Sequence, residues 1–277
     1  MKAIDMDRAI GIFDSGVGGL TVAREVFRIL PSEDVVYFGD VGRAPYGGRS
    51  KEIIVKFTAQ DVAFLLEHKV KFIICACNSA SAVALDEIAG NYNIKMIGVI
   101  RPGAEAAVKQ TRGGRIGVIG TQATINSNSY ARLIHELDPK LKVFSLACPL
   151  FVPLAEEGYI DKEATYLIAR DYLTTMLDVQ VDTLILGCTH YPLLEHVIAD
   201  IMGDSVTLIN SGKETARVAL QELADANLLN SQAAQSPSPE GDHKFYVSDV
   251  PDKFTQVATR FLGRTVDNVT RVDVSGY

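Results

Sequence analysis

Cys77 and Cys188 sit in two stretches of the same design, 111 residues apart. FIICACNSASAVALDEI begins at Phe72 and TLILGCTHYPLLEHVI at Thr183. Each reads as an apolar β-type run, then a small residue and a cysteine (Ala76-Cys77, Gly187-Cys188). A polar dipeptide follows (Asn78-Ser79, Thr189-His190), and then a helical pattern. A thiol at a strand-to-helix corner lies near free amides and the positive end of the helix dipole. That setting is expected to lower its pKa toward working pH and favour thiolate. One reading is a pair of thiols facing one substrate. The plainer readings are small core residues, a disulfide, or half of a metal site. Duplication of the corner, with Asn, Ser, Thr and His beside it, favours chemistry over packing. A zinc site lacks a CxxC pair, and His190 follows Cys188 by only two residues with no second knuckle. Cys75 falls deeper in its strand and reads as packing, and Cys148 precedes Pro149 without a partner pattern.

Other candidates cluster at similar corners. DSGVGGLT, from Asp14, invites a nucleotide reading but fails the dinucleotide fingerprint, because Thr21 stands where the third glycine belongs. It reads as a tight turn whose backbone a small ligand could touch. Asp14 at the strand tip could meet a substrate ammonium or orient a base, and a helix-cap role for Asp14 or Ser15 fits equally well. In PYGGRS, Tyr46 and Gly47 could supply a hydroxyl and a backbone amide, or simply form a loop. Thr121 and Thr124 offer hydroxyls or caps at a later corner. Glu156 and Glu157 follow an apolar run that could carry one of them to a cleft, against the default of a solvated pair. His190 could tune the Cys188 thiol or donate a hydrogen bond to a ligand.

The elements that must place these residues alternate strand and helix. Strand-like runs are expected at residues 9–13, 34–38, 71–75, 95–100, 115–119, 142–147, 182–186, 205–209 and 244–247, with helix-length segments such as 51–68 between them. Short, nearly continuous apolar runs separated by helices belong to a parallel sheet covered on both faces, so the class is α/β. IGIFDSGVGGLTVAREV and IGVIGTQATINSNSYARLI share one form, with Asp14 and Thr121 107 residues apart. Two corner types recurring at nearly one interval predict two similar lobes, each a mostly parallel sheet flanked by helices, with the active site in the cleft between them. The expected division is residues 1–97 plus 206–277 for the first lobe and 98–205 for the second. Residues 231–242 have the composition of an exposed connecting loop.

Composition narrows the function classes. At 47% hydrophobic and 22% charged residues the chain can build a large core. A net charge of −7 and scattered Lys and Arg argue against nucleic acid and against a polybasic membrane patch. The N-terminus lacks the continuous apolar segment of a signal peptide, and no run approaches the length of a membrane span. A cytoplasmic setting is therefore expected, in which thiols stay reduced and a Cys77–Cys188 disulfide is disfavoured.

Taken together and in order, FDSGVGGLTV, YFGDVGRAPYG, CACNSASA, GVIRPGA, GTQATINS, CPLFVPLAEEG and LGCTHYPLL closely resemble glutamate racemase, of the aspartate/glutamate racemase superfamily. The resemblance spans residue 10 to about residue 212. It implies L- and D-glutamate as substrates, D-glutamate supplied for peptidoglycan, no pyridoxal phosphate or metal, and commonly a homodimer. It implies Cys77 and Cys188 as the acid/base pair on opposite faces of the substrate Cα, the first-lobe thiol acting on D-glutamate. Asp14, Glu156 and His190 become assisting groups, with Glu157 the alternate for Glu156. Asp14, Ser15, Tyr46, Gly47, Asn78, Ser79, Thr121, Thr189 and His190 become substrate contacts. Ser79 replaces the more usual threonine, and Val41-Gly42 stands where Thr-Ala is commoner. The segment before the first strand is short, so activation by a cell-wall nucleotide precursor is not expected. Rival readings are an aspartate or hydantoin racemase with altered carboxylate contacts, a two-lobed binding protein with structural cysteines, and a thiol hydrolase using Cys188 and His190.

Overall fold

A computed structural model describes residues 5–230 and 241–277. Its strands, in chain order, are β1 (Ile10–Asp14), β2 (Val35–Gly39), β3 (Phe72–Cys75), β4 (Met96–Gly98), β5 (Arg115–Gly120), β6 (Lys142–Ala147), β7 (Thr183–Gly187), β8 (Thr207–Asn210), β9 (His243–Val247) and β10 (Val269–Arg271). They form two sheets, ordered β10-β9-β2-β1-β3-β4 and β6-β5-β7-β8, and every pairing is parallel. The order β2-β1-β3-β4 in one sheet is repeated as β6-β5-β7-β8 in the other. The repeat seen in the sequence is thus a repeat of topology. Asp14 ends β1 and Cys77 follows β3, while Thr121 follows β5 and Cys188 follows β7.

Every residue of β1, β2, β3 and β7 is buried, as strands covered on both faces must be. Alternation along β1 sends Ile10 and Ile12 into one core with Leu20, Val26 and Phe261, and Phe13 into another with Ile54, Phe64 and Leu65. The second sheet divides likewise, Leu184 and Leu186 on one face and Ile185 on the other. The helix Lys51–Glu67 buries Ile54, Thr58, Val62 and Leu65 as its sequence stripe requires, and Ser50 caps it.

All nine expected strands are present, with three differences in detail. β4 stops at Gly98, because Ile100 already begins the helix Ile100–Gln110, which tolerates Pro102 in its first turn. β10 was not expected; it is a three-residue strand at the sheet edge with little burial. β8 pairs with β7, so residues 207–210 belong to the second sheet, and the return to the first lobe starts after Asn210, later than residue 206. The next helix, Ser211–Asp225, buries Ala216, Ala219 and Leu223 in the first-lobe core. Most of the expected connecting loop, residues 231–240, lies outside the described residues.

Candidate active site

Cys77 is the N-cap of the helix Asn78–Val83, and its Sγ accepts the Ala80 N–H at 3.5 Å. The thiol donates to Ser15 Oγ at 3.4 Å. Burial pushes this thiol up, the Asp14 carboxylate adds to the effect, and the bonds from Ser15 and Ala80 only partly oppose it, leaving it at about 12. The sequence expectation of a lowered pKa at this corner is therefore wrong: desolvation and an anionic neighbour outweigh the helix terminus. In this arrangement Cys77 is a thiol.

The Cys188 corner is built differently. No α-helix starts there; a 3₁₀ turn, Tyr191–Leu194, comes first, and the helix Glu195–Met202 follows. What stands beside the sulfur is His190, whose Nδ1 lies 3.8 Å from Sγ and 3.3 Å from Thr189 Oγ1. Its Nε2 donates to Glu156 Oε1 at 2.9 Å. Burial pushes the imidazole down, but the bonds to Cys188 and Glu156 more than reverse this and carry it to about 10. A histidine so placed is cationic at neutral pH. Glu157 is exposed, and it is Glu156 that reaches His190.

Asp14 lies between the two corners. Its Oδ2 accepts the Gly16 N–H at 2.9 Å, and its buried Oδ1 has no protein partner. Burial raises its pKa, against the pull of His190 and the Gly19 and Gly16 amides. The lobes meet across the cleft through a hydrogen bond shared by the Ser79 and Thr121 hydroxyls, 2.9 Å apart, and Thr121 lies 3.2 Å from Thr124 Oγ1. Asn78 Nδ2 donates to Tyr130 at 3.0 Å and to Ser211 at 3.5 Å, which leaves its buried Oδ1 without a protein partner. Both N–H groups of this amide are thus directed at Tyr130 and Ser211. The Tyr46 hydroxyl, expected to be open to a ligand, instead donates to Asp40 and lies 3.0 Å from Asp61 Oδ2. Its turn (Tyr46–Gly48) can meet a ligand only through backbone. A Cβ on Gly47 would lie 2.7 Å from Thr121 Cβ, so glycine is needed there for the lobes to approach. Cys75 is buried in β3 and Cys148 in the second-lobe core, both as packing residues.

The sites are nearly sealed, since Cys77 and Cys188 are each 5% exposed. Among the described residues, no three His, Cys, Asp or Glu side chains come together as a metal site. Sequence reasoning missed the residues that close the cleft from a distance. Thr21, noticed only as a break in a glycine motif, donates to the Thr189 carbonyl at 2.8 Å. Tyr130 and Ser211 hold Asn78, and Phe261 packs edge-on against His190 with ring centroids 5.2 Å apart. Nothing local in the sequence marks any of these three.

The Asp/Glu/Hydantoin racemase family model matches residues 25–219. A glutamate racemase of Geobacter metallireducens is 47% identical over 267 residues, 96% of this chain and 97% of that one. The crystal structure of the Francisella tularensis glutamate racemase in complex with D-glutamate superposes with a TM-score of 0.91 at 39% identity, covering 99% of this chain and 100% of that one. The Thermus thermophilus glutamate racemase in complex with β-chloro-D-alanine gives 0.88 at 40% identity, with the same coverages. With two parallel sheets in one repeated order, a pair of buried thiols at equivalent corners and relatives matched end to end, the chain belongs to the glutamate racemases of the Asp/Glu/Hydantoin racemase family.

Proposed function

We propose that this chain interconverts L- and D-glutamate with Cys77 and Cys188 as its own acid/base pair. The observation that carries the mechanism is the opposite electrostatic setting of the two sulfurs: Asp14 beside Cys77, a cationic His190 beside Cys188. Cys188, as thiolate, takes the α-proton of L-glutamate, and the Cys77 thiol delivers its own proton to the opposite face. The product is D-glutamate, with Cys188 now a thiol and Cys77 a thiolate. D-glutamate reacts through the same steps in reverse. The carbanionic intermediate needs donors at the carboxylate, for which the Ser15, Ser79 and Thr189 hydroxyls and the backbone of the Tyr46–Gly48 turn are available. The hydrogen bonds across the cleft exclude water and strengthen those contacts. Asp14, with a bare buried oxygen, is suited to the substrate ammonium. The substrate-contact roles, the lobe division at about residues 98 and 210, a homodimer and a cytoplasmic setting belong to the same proposal. Among the described residues no helix is long and apolar enough to cross a membrane.

Proton NMR of L-glutamate in D₂O, with purified protein and no added cofactor, tests the reaction. The Cα proton signal should disappear as D-glutamate forms. A Cα signal that persists under reducing conditions overturns the proposal, and the same assay on aspartate then separates a different acid substrate from a binding protein.

A further inference from the structure

The carboxylate that supports His190 is held from the other lobe. Glu156 ends the helix Phe151–Glu156, only six residues long. The Pro153, Leu154 and Ala155 carbonyls accept the Glu157, Tyr159 and Gly158 N–H groups at 2.9, 2.8 and 3.2 Å, and the Glu156 carbonyl takes a side-chain donor instead. Arg260, on the helix Pro251–Leu262, supplies it: Nη1 donates to the Glu156 carbonyl at 2.5 Å and to the Ala155 carbonyl at 3.4 Å. The chain turns away at Gly158, where φ is +75°, and a Cβ there would fall 2.7 Å from Arg260 Nη2. The guanidinium therefore lies flush against the turn. The helix bearing Arg260 is part of the first lobe, since its Phe254, Ala258 and Phe261 share a core with Ile10 and Val26. Ala155 is buried in that same first-lobe core although it belongs to the segment between β6 and β7. The neighbour of Arg260, Phe261, packs its ring at 83° to the His190 ring. Two consecutive first-lobe residues thus hold both members of the Glu156–His190 pair in the second.

We propose that Arg260 is a positioning residue that couples closure of the lobes to alignment of Glu156 on His190, and through His190 to Cys188. It touches no reacting atom and acts through the end of the helix Phe151–Glu156. A cation at a helix C-terminus complements the helix dipole, and the planar fork of arginine satisfies adjacent carbonyls in one fixed geometry. When the lobes part, these bonds are lost, Glu156 is freed, and His190 loses the partner that sustains its charge. The charged groups facing His190 are Cys188 on its own corner, Glu156 on the short helix and Asp14 at the end of β1, with Arg260 behind the Glu156 backbone. The inference rests on the Cys188–His190–Glu156 arrangement being functional.

Its test compares Arg260→Ala, Arg260→Lys, Glu156→Gln and the Arg260→Ala/Glu156→Gln double variant, with kcat and KM followed across pH for both enantiomers and melting midpoints as a control. Arg260→Ala should lower kcat about 10- to 100-fold with little change in KM, as expected of a misaligned supporting group. The alkaline limb of its kcat profile should move to lower pH, because an imidazole without Glu156 loses its proton more readily. Arg260→Lys should recover part of the loss, and it carries the comparison should the alanine variant not fold. In the Glu156→Gln background, removing Arg260 should change kcat by no more than about twofold, the mark of two groups acting as one unit. An unchanged pH profile in both Arg260 variants, or a full loss on top of Glu156→Gln, overturns the proposal while leaving the reading of Glu156 intact. A Glu156→Gln enzyme with normal kcat and pH profile removes that reading, and the proposal with it.

Discussion

The corners after β3 and β7 have the same topology and opposite electrostatics. At the first, a helix N-terminus accepts the thiol as a cap, and burial with Asp14 keeps it protonated. At the second, the helix is delayed by a 3₁₀ turn, and a histidine supported by a carboxylate takes its place. The proposed mechanism asks for two thiols, one accepting a proton while the other donates one. Duplicating a corner supplies the sameness, and the neighbours supply the difference.

The largest effect should come from removing either sulfur. Cys77→Ser and Cys188→Ser should each lower kcat by about 10³-fold or more in both directions, since a hydroxyl is far too weak an acid to share the role. Circular dichroism of glutamate solutions reads this. A variant keeping a tenth of the activity would break the symmetry of the comparison. Next is Gly18→Ala. A Cβ there would lie 2.2 Å from Thr189 Oγ1 and 2.5 Å from the His190 ring, so the second corner must retreat. The expected loss in kcat/KM is about 10²-fold, by displacement alone. Activity within twofold of wild type would mean that the lobes need not close this far.

The smallest effect concerns stability. His190 is raised in the folded protein from its ordinary 6.5 to about 10, so it favours the folded state fully below pH 6.5 and loses that contribution as pH rises toward 10. Urea unfolding should therefore show stability declining over this window, and His190→Gln should flatten the slope. The variant and wild type declining in parallel would show that the imidazole carries no charge in the folded state.

The sequence made the strands legible because buried parallel strands are short unbroken apolar runs, and FIIC, TLILG and IGIFD have no other good use. The edge strand β10 escaped because VTR is short and half polar, so only its pairing with β9 defines it. Cys77 and Cys188 were legible as candidates because thiol and corner coincide in a few consecutive residues. Their surroundings were not, since Asp14 stands 63 residues before Cys77 and Glu156 stands 32 before Cys188. Tyr46 shows the same limit. Its type suits a ligand, yet its hydroxyl is claimed by Asp40 and Asp61, a choice made by the packing of the helix Lys51–Glu67.

The sheet order also bears on how the chain is made. β2 pairs with β1 on one side and with β9 on the other, and β9 lies about 200 residues further along. While the ribosome adds the whole second lobe, the row VVYFG keeps one edge of its backbone unpaired, the type of edge that recruits strands from other chains. The second lobe, whose strands are consecutive in the chain, carries no such wait. The first lobe is begun first and finished last, and its late strands are what retire an aggregation hazard present from early in synthesis.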